Sequence, residues 1–246
     1  MLECLKTAHA FSVDELTELS FNKKHPWHQN MVALYVSMIE FTRALVNSFD
    51  HNNIISVNPV FRPFFEAYVA FINLSNDKCY GYHMKAADFN GKIKVLKASK
   101  TGMNPYLNLK LIGEGPETSK ILADHEKKLE ALKKKGYPPL NILRKCEIAD
   151  MENEYRSIYS FMSNHIHNNL NALNSLHVER DTKTEFNVVL YRKWDIEDYK
   201  PQIIHATFFL LKAGERLHEL LESKSCERFT EKLKELERKY REESSS

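Results

Sequence analysis

The chain has 246 residues and a formal net charge of +2, so its length admits one large domain or two small ones and its charge balance demands no anionic partner. With 43% hydrophobic and 28% charged residues the composition is that of a water-soluble globular protein. Seven glycines are too few for the turns of a β-rich chain of this size, which leaves a mainly helical fold.

Four cysteines, Cys4, Cys79, Cys146 and Cys226, lie far apart with no CxxC pair. That spacing argues against a cysteine-built zinc site and against a disulfide framework, and it suits a reducing cytoplasm. The start, MLECLKTAHAF, carries an early glutamate and no long apolar core, so it does not read as a signal peptide. No apolar run is long enough to span a bilayer, so no membrane partner is expected.

Apolar residues at helical spacing from Met31 to Phe49 predict a first helix, which Asn52 and Asn53 end. NPVFRPFFEAYVAFINLSND predicts a second, with Pro59 or Pro63 in its first turn. CYGYHMKAADFNGKIKVLKASK predicts a third, weakened by Gly81 and Gly91. NPYLNLKLIGEGP reads as a connector. ETSKILADHEKKLEALKKKG is a charged amphipathic helix that Gly136 stops. YPPLNILRKCEIADM is a short helix or loop, and a further helix runs from about Asp150 to His167. Two alternating stretches around RDTKT predict a β-hairpin near 176–192. DIEDYKPQIIHATFFLLKAGERLHELLES is a long, strongly apolar helix, and a charged helix closes the chain at 226–243. The expectation is a single mainly α domain over 1–246, a bundle of about six or seven helices with a small hairpin.

Two helices carry the chemistry. In PFFEAYVAFINL, Glu66 is the only charge in twelve residues. A segment apolar on all sides is buried on most of them, so Glu66 must be protonated or paired. Arg62, one turn earlier, offers an i,i+4 pair. In YRSIYSFMSNHIHNN, a regular helix of about 100° per residue places Tyr155, Ile158, Phe161, Met162 and Ile166 on one broad side. Arg156, Ser160, Ser163 and His167 share the other, with Tyr159 at the border. His165 and His167 point apart and cannot bind one metal from a regular helix. His165 falls among the apolar residues and reads as a core histidine.

RPFFEAYVAFINL with, far downstream, YSFMSNHIH resembles an uncharacterised, mainly prokaryotic helical family, domain of unknown function 5677, over roughly Gln29 to Ala172. The resemblance implies an Arg-x-x-x-Glu helix and a later Tyr-x-x-x-Ser-x-x-x-His helix. Here these fall on Arg62 and Glu66, then on Tyr159, Ser163 and His167. It implies no established activity.

Two functional readings are open. In the first, Arg62, Glu66, Tyr159, Ser163 and His167, with Arg156 in addition, meet in a cleft. Glu66 tunes His167 as a general acid or base, while arginine and a hydroxyl hold a phosphate. That set suits metal-independent RNA cleavage through the ribose 2′-hydroxyl, as in a bacterial defence or toxin-type component. Helical RNases of the HEPN class use an arginine and a histidine in this way at shorter spacing; here Arg156 and His167 have ten residues between them. Between Lys85 and Lys145, fourteen Lys and Arg face six Asp and Glu, a surface that RNA could track.

In the second reading the same residues form a structural network in a non-enzymatic binding or regulatory module. Loss of one partner would then cost about 3–5 kcal/mol without touching a reaction. The apolar helix after Pro201 and the charged C-terminal helix would support a homodimer. No cofactor and no metal is expected. A di-metal carboxylate site needs two Glu-x-x-His pairs, and only Glu215 and His218 form one. Asp124, His125 and Glu126 diverge on a helix, and Cys79 with His83 lies in no nucleophile signature.

Overall fold

A computed structural model of the chain describes residues 1–100, 116–166, 169–182, 185–190, 193 and 195–244. The predicted connector at 104–116 falls almost entirely outside them. The helical elements in chain order are α1 (Leu2–Leu16), α2 (Pro26–Asp50), α3 (Val57–Asn76), α4 (Tyr80–Lys100), α5 (Pro116–Lys134) and α6 (Ile142–Ile148). α7 (Glu152–Glu154) passes through a π-helical turn at Tyr155–Tyr159 into α8 (Ser160–Ile166), with α9 (Leu170–His177) after it. The strands β1 (Val178–Arg180) and β2 (Phe186–Val188) then precede α10 (Lys200–Leu220) and α11 (Cys226–Ser244). The fold is a helical bundle with a small antiparallel hairpin, and its described helices outnumber the six or seven expected.

The extra elements have local causes. α1 buries Cys4, Leu5, Ala8, Ser12 and Glu15, a stripe at spacings of three and four that small and polar residues partly mask in the sequence. α9 starts where the Asn169 side chain accepts the Ala172 amide at 2.8 Å, an N-cap in the stretch left unassigned between the helix expected to end at His167 and the hairpin. α3 begins at Val57, so Pro59 lies in its first turn and Pro63 further in.

The chain divides into two compact units, Met1–Ser75 with Lys145–Ser246, and Asn76–Arg144. In the larger unit α10 packs against α1, α2 and α11, and eleven of its residues are buried. α11 answers it with Phe229, Leu233, Leu236 and Tyr240, spaced four, three and four apart. The smaller unit is built on α4 and α5, around Ala86, Phe89, Ile93, Leu96, Leu122 and Leu129.

The larger core also encloses polar groups. Glu15 is 1% exposed and His218 is fully buried. The His218 Nδ1 meets the Ser223 hydroxyl at 2.8 Å, and its ring lies 5.0 Å from that of Phe229. Burial holds the His218 imidazole below its ordinary value, more than the nearby Glu15 charge raises it. His9 is lowered as well, by burial and then by Arg43. Both folded-state values lie below the unfolded one near 6.5, so the unfolded chain binds more protons across that interval. Stability is therefore complete above the ordinary histidine range and lost as pH falls through it. The melting temperature should drop on acidification from about pH 8 to about pH 5, and His218→Gln should flatten that profile. A pH-independent melting temperature for the wild type would contradict the burial of His218 and the half-burial of His9.

Candidate functional site

Glu66 lies in α3 between two faces of different character. Phe64, Phe65, Tyr68 and Val69 around it are buried, whereas Glu66 and Arg62 lie at the edge of that surface. The Arg62 Nε donates to Glu66 Oε1 at 3.1 Å across one helical turn. The Tyr159 hydroxyl, 93 positions later, donates to the same oxygen at 3.0 Å. The Arg62 guanidinium carbon stands 5.0 Å from the centre of the Tyr159 ring, so the cation lies against the ring that shares its carboxylate.

The π-helical turn aims Tyr159. A π turn holds an extra residue, and it rotates the downstream residues relative to a regular helix. Tyr159, expected at the border of two faces, is buried at 5% exposure, while Phe161, expected on the apolar side, is 53% exposed. Met162 takes the fully buried position. The Ser160 hydroxyl reaches back to the Tyr155 carbonyl at 3.0 Å, and the Tyr155 and Tyr159 rings stack at 5.3 Å. Phe65 also lies against Tyr159, with ring centres 5.9 Å apart. Burial first, and then the Glu66 charge, pushes the Tyr159 hydroxyl up to about 12, so it stays a proton donor at neutral pH.

Of the residues singled out in the sequence, the structure brings Arg62, Glu66 and Tyr159 together. Arg156 is instead bound to Glu152 through Nε and Nη2 at 3.0 and 2.5 Å, with its side chain 70% exposed. Ser163 is half-buried on α8. All of His167 and the side chain of His165 lie outside the described residues. Glu66 is 39% exposed and Arg62 27%, so the cluster is a half-solvated edge and not a fully buried pair.

The other pairs weighed in the sequence separate. Glu215 Oε1 accepts from the Thr230 hydroxyl, whereas His218 turns to Ser223. His83 Nδ1 meets the Pro138 carbonyl at 2.7 Å, and Cys79 is exposed. Among the described residues no group of three or more His, Cys, Asp or Glu is placed to hold a metal ion, and no helix is long and apolar enough to cross a membrane.

A helical bundle with an Arg–Glu–Tyr cluster on the edge of its core is the class that this structure defines. The chain belongs to the family of unknown function DUF5677, whose model matches residues 29–185 and so takes in both halves of the cluster. No curated protein and no solved structure matches it.

Proposed function

We propose that the protein is a non-enzymatic binding module in which Arg62, Glu66 and Tyr159 brace the larger unit, while α4 and α5 offer a surface to an RNA backbone. The observation that carries the brace is the convergence on one atom: Glu66 Oε1 accepts from both Arg62 and Tyr159. The Arg62 cation pairs with the carboxylate and the Tyr159 phenol keeps its proton, so these three groups join α3 to the π turn.

The charge pattern of α4 and α5 supports the partner. Lys92, Lys97, Lys128 and Lys133 are matched by Asp88, Glu126, Asp124 and Glu130. Lys120, Lys127 and Lys134 are exposed and recur every seven residues, which places them on one stripe of the helix. Three cations along one line suit the repeating phosphates of a single strand.

Fluorescence anisotropy with a single-stranded RNA, repeated across salt concentrations in chelator, tests the whole reading. Binding without cleavage is expected, and Lys127→Gln should lower the slope of log affinity against log salt by about 0.7. Glu66→Gln should leave binding intact and cost about 1 kcal/mol of stability, because a half-exposed network is worth less than the 3–5 kcal/mol of a buried one. RNA cleavage by the wild type, abolished in a folded Glu66→Gln variant, would instead assign the cluster to a metal-independent ribonuclease of defence or toxin type.

A further inference from the structure

The two edges of the hairpin differ: α9 caps the start of one, and the other has no main-chain partner among the described residues. Its register pairs Val178 with Val188, Glu179 with Asn187 and Arg180 with Phe186. The Val189 amide donates to the His177 carbonyl at 2.9 Å. Hydrogen-bonded and non-bonded pairs alternate in an antiparallel ladder, so Glu179 and Asn187 face each other through their main chains. The main-chain groups of Val178 and Arg180 then point out of one side of the ladder, and those of Phe186 and Val188 out of the other. On the first side the Val178 amide is taken by the Asn174 carbonyl at the end of α9. On the second side no described residue takes the Phe186 or Val188 amide.

That open edge is apolar and uncharged. Residues 186–190 read FNVVL, with neither lysine nor proline to blunt it. Phe186 and Val188 share one face of the strand and are 58% and 72% exposed, and Leu190 just beyond is 72% exposed. A bare apolar edge of this kind invites another strand.

We propose that the occupant is β2 of a second copy of this chain, paired antiparallel about a two-fold axis at Asn187 to form a four-stranded sheet. The strand is self-complementary in that register. Phe186 of each copy stands opposite Val188 of the other, and these are the residues whose amides and carbonyls point outward, so the two pairs exchange four main-chain hydrogen bonds. Their apolar side chains fall on the same face of the joined sheet. The uncharged Asn187 lies on the axis, its Nδ2 donating to Asp181 Oδ2 of its own hairpin at 2.6 Å, and along β2 the first charge outward, Glu185, faces Val189 of the other copy, so no like charges stand directly opposite each other across the paired strands. An isologous contact closes at two copies. The strand-to-strand contact is small beside a standard interface of about 800 Å² per partner, so the dimer is weak and concentration-dependent.

Sedimentation velocity of the full chain over micromolar to submillimolar concentrations reads the association directly. A reversible monomer–dimer equilibrium is expected. Val188→Pro deletes an outward amide and spares the hairpin's own ladder, so it should weaken the dimer at least about tenfold with the circular dichroism unchanged. Phe186→Lys should do the same through charge. Asn187→Cys in a Cys79→Ala background should form an intermolecular disulfide under mild oxidation, because non-bonded pairs bring Cα atoms to about 4.5 Å, inside the disulfide range. A monomer throughout, which would leave the edge to a strand from another protein, overturns the proposal. So does a dimer that both Val188→Pro and Phe186→Lys leave intact.

Discussion

Gly214→Ala should lower the melting temperature by roughly 4–8 °C, corresponding to about 2 kcal/mol. Gly214 lies inside α10, where alanine would ordinarily stabilise a helix by about 1 kcal/mol. Packing reverses the sign. A Cβ at this position would come within 3.0 Å of the Phe229 ring and the Tyr35 hydroxyl, closer than real Cβ contacts come. Neither neighbour can yield, since both side chains are fully buried, Tyr35 in α2 and Phe229 in α11. The close approach of three helices is therefore set by one missing methyl group. Phe229→Leu removes the obstructing ring edge, so the double variant should be less destabilised than the sum of the two single changes. An unchanged or raised melting temperature for Gly214→Ala would contradict the packing of α2, α10 and α11.

Arg228→Ala should destabilise the protein by about 2–3 kcal/mol, through a carboxylate on another helix. Glu15 is 1% exposed, and its Oε1 lies 2.7 Å from Arg228 Nη2. Its Oε2 is buried with no hydrogen-bond partner among the described residues. Removal of the guanidinium leaves an uncompensated anion in a low-dielectric site, a cost of several kcal/mol where both partners are buried. Arg228 is 60% exposed and already solvated in part, which places the effect below that limit. The arginine also lies against the Phe11 ring, with 6.0 Å from its guanidinium carbon to the ring centre, so some packing is lost with the charge. In a Glu15→Gln background the same Arg228→Ala change should cost about 1 kcal/mol or less, because no charge is then stranded. Equal costs in both backgrounds, read by urea denaturation, would show that the ion pair contributes nothing.

These two sites contrast with the Arg62–Glu66–Tyr159 cluster. In all three a polar or small residue interrupts an apolar helix. At Gly214 and Glu15 the interruption is fully enclosed by neighbouring helices, and its replacement acts on the whole core. At Glu66 the side chain reaches solvent, and the expected loss is smaller although the residue stands out more in the sequence. Isolation of a charge in an apolar run announces that it needs a partner, and burial decides how much the partner matters.

Periodicity within single segments determined most of the architecture: the apolar spacing of α2, α3 and α10, the mixed charge of α11, the alternation around the hairpin, and the scarcity of glycine all read directly as helices with one small sheet. The Arg62–Glu66 pair was legible as well, since it needs only one turn of one helix. Tertiary structure alone decided the rest. The π turn that swings Tyr159 inward and Phe161 outward leaves no mark in a residue-by-residue wheel, because it changes the angle on which the wheel is drawn. The approach of Tyr159 to Glu66 across 93 positions, the enclosure of Glu15 by α1 and α11, and the open edge of β2 depend on which elements come to lie side by side. Helix and strand formation are governed by neighbours a few residues away, whereas these contacts are selected by the burial of whole faces, and many pairings of similar apolar faces would satisfy the same local pattern.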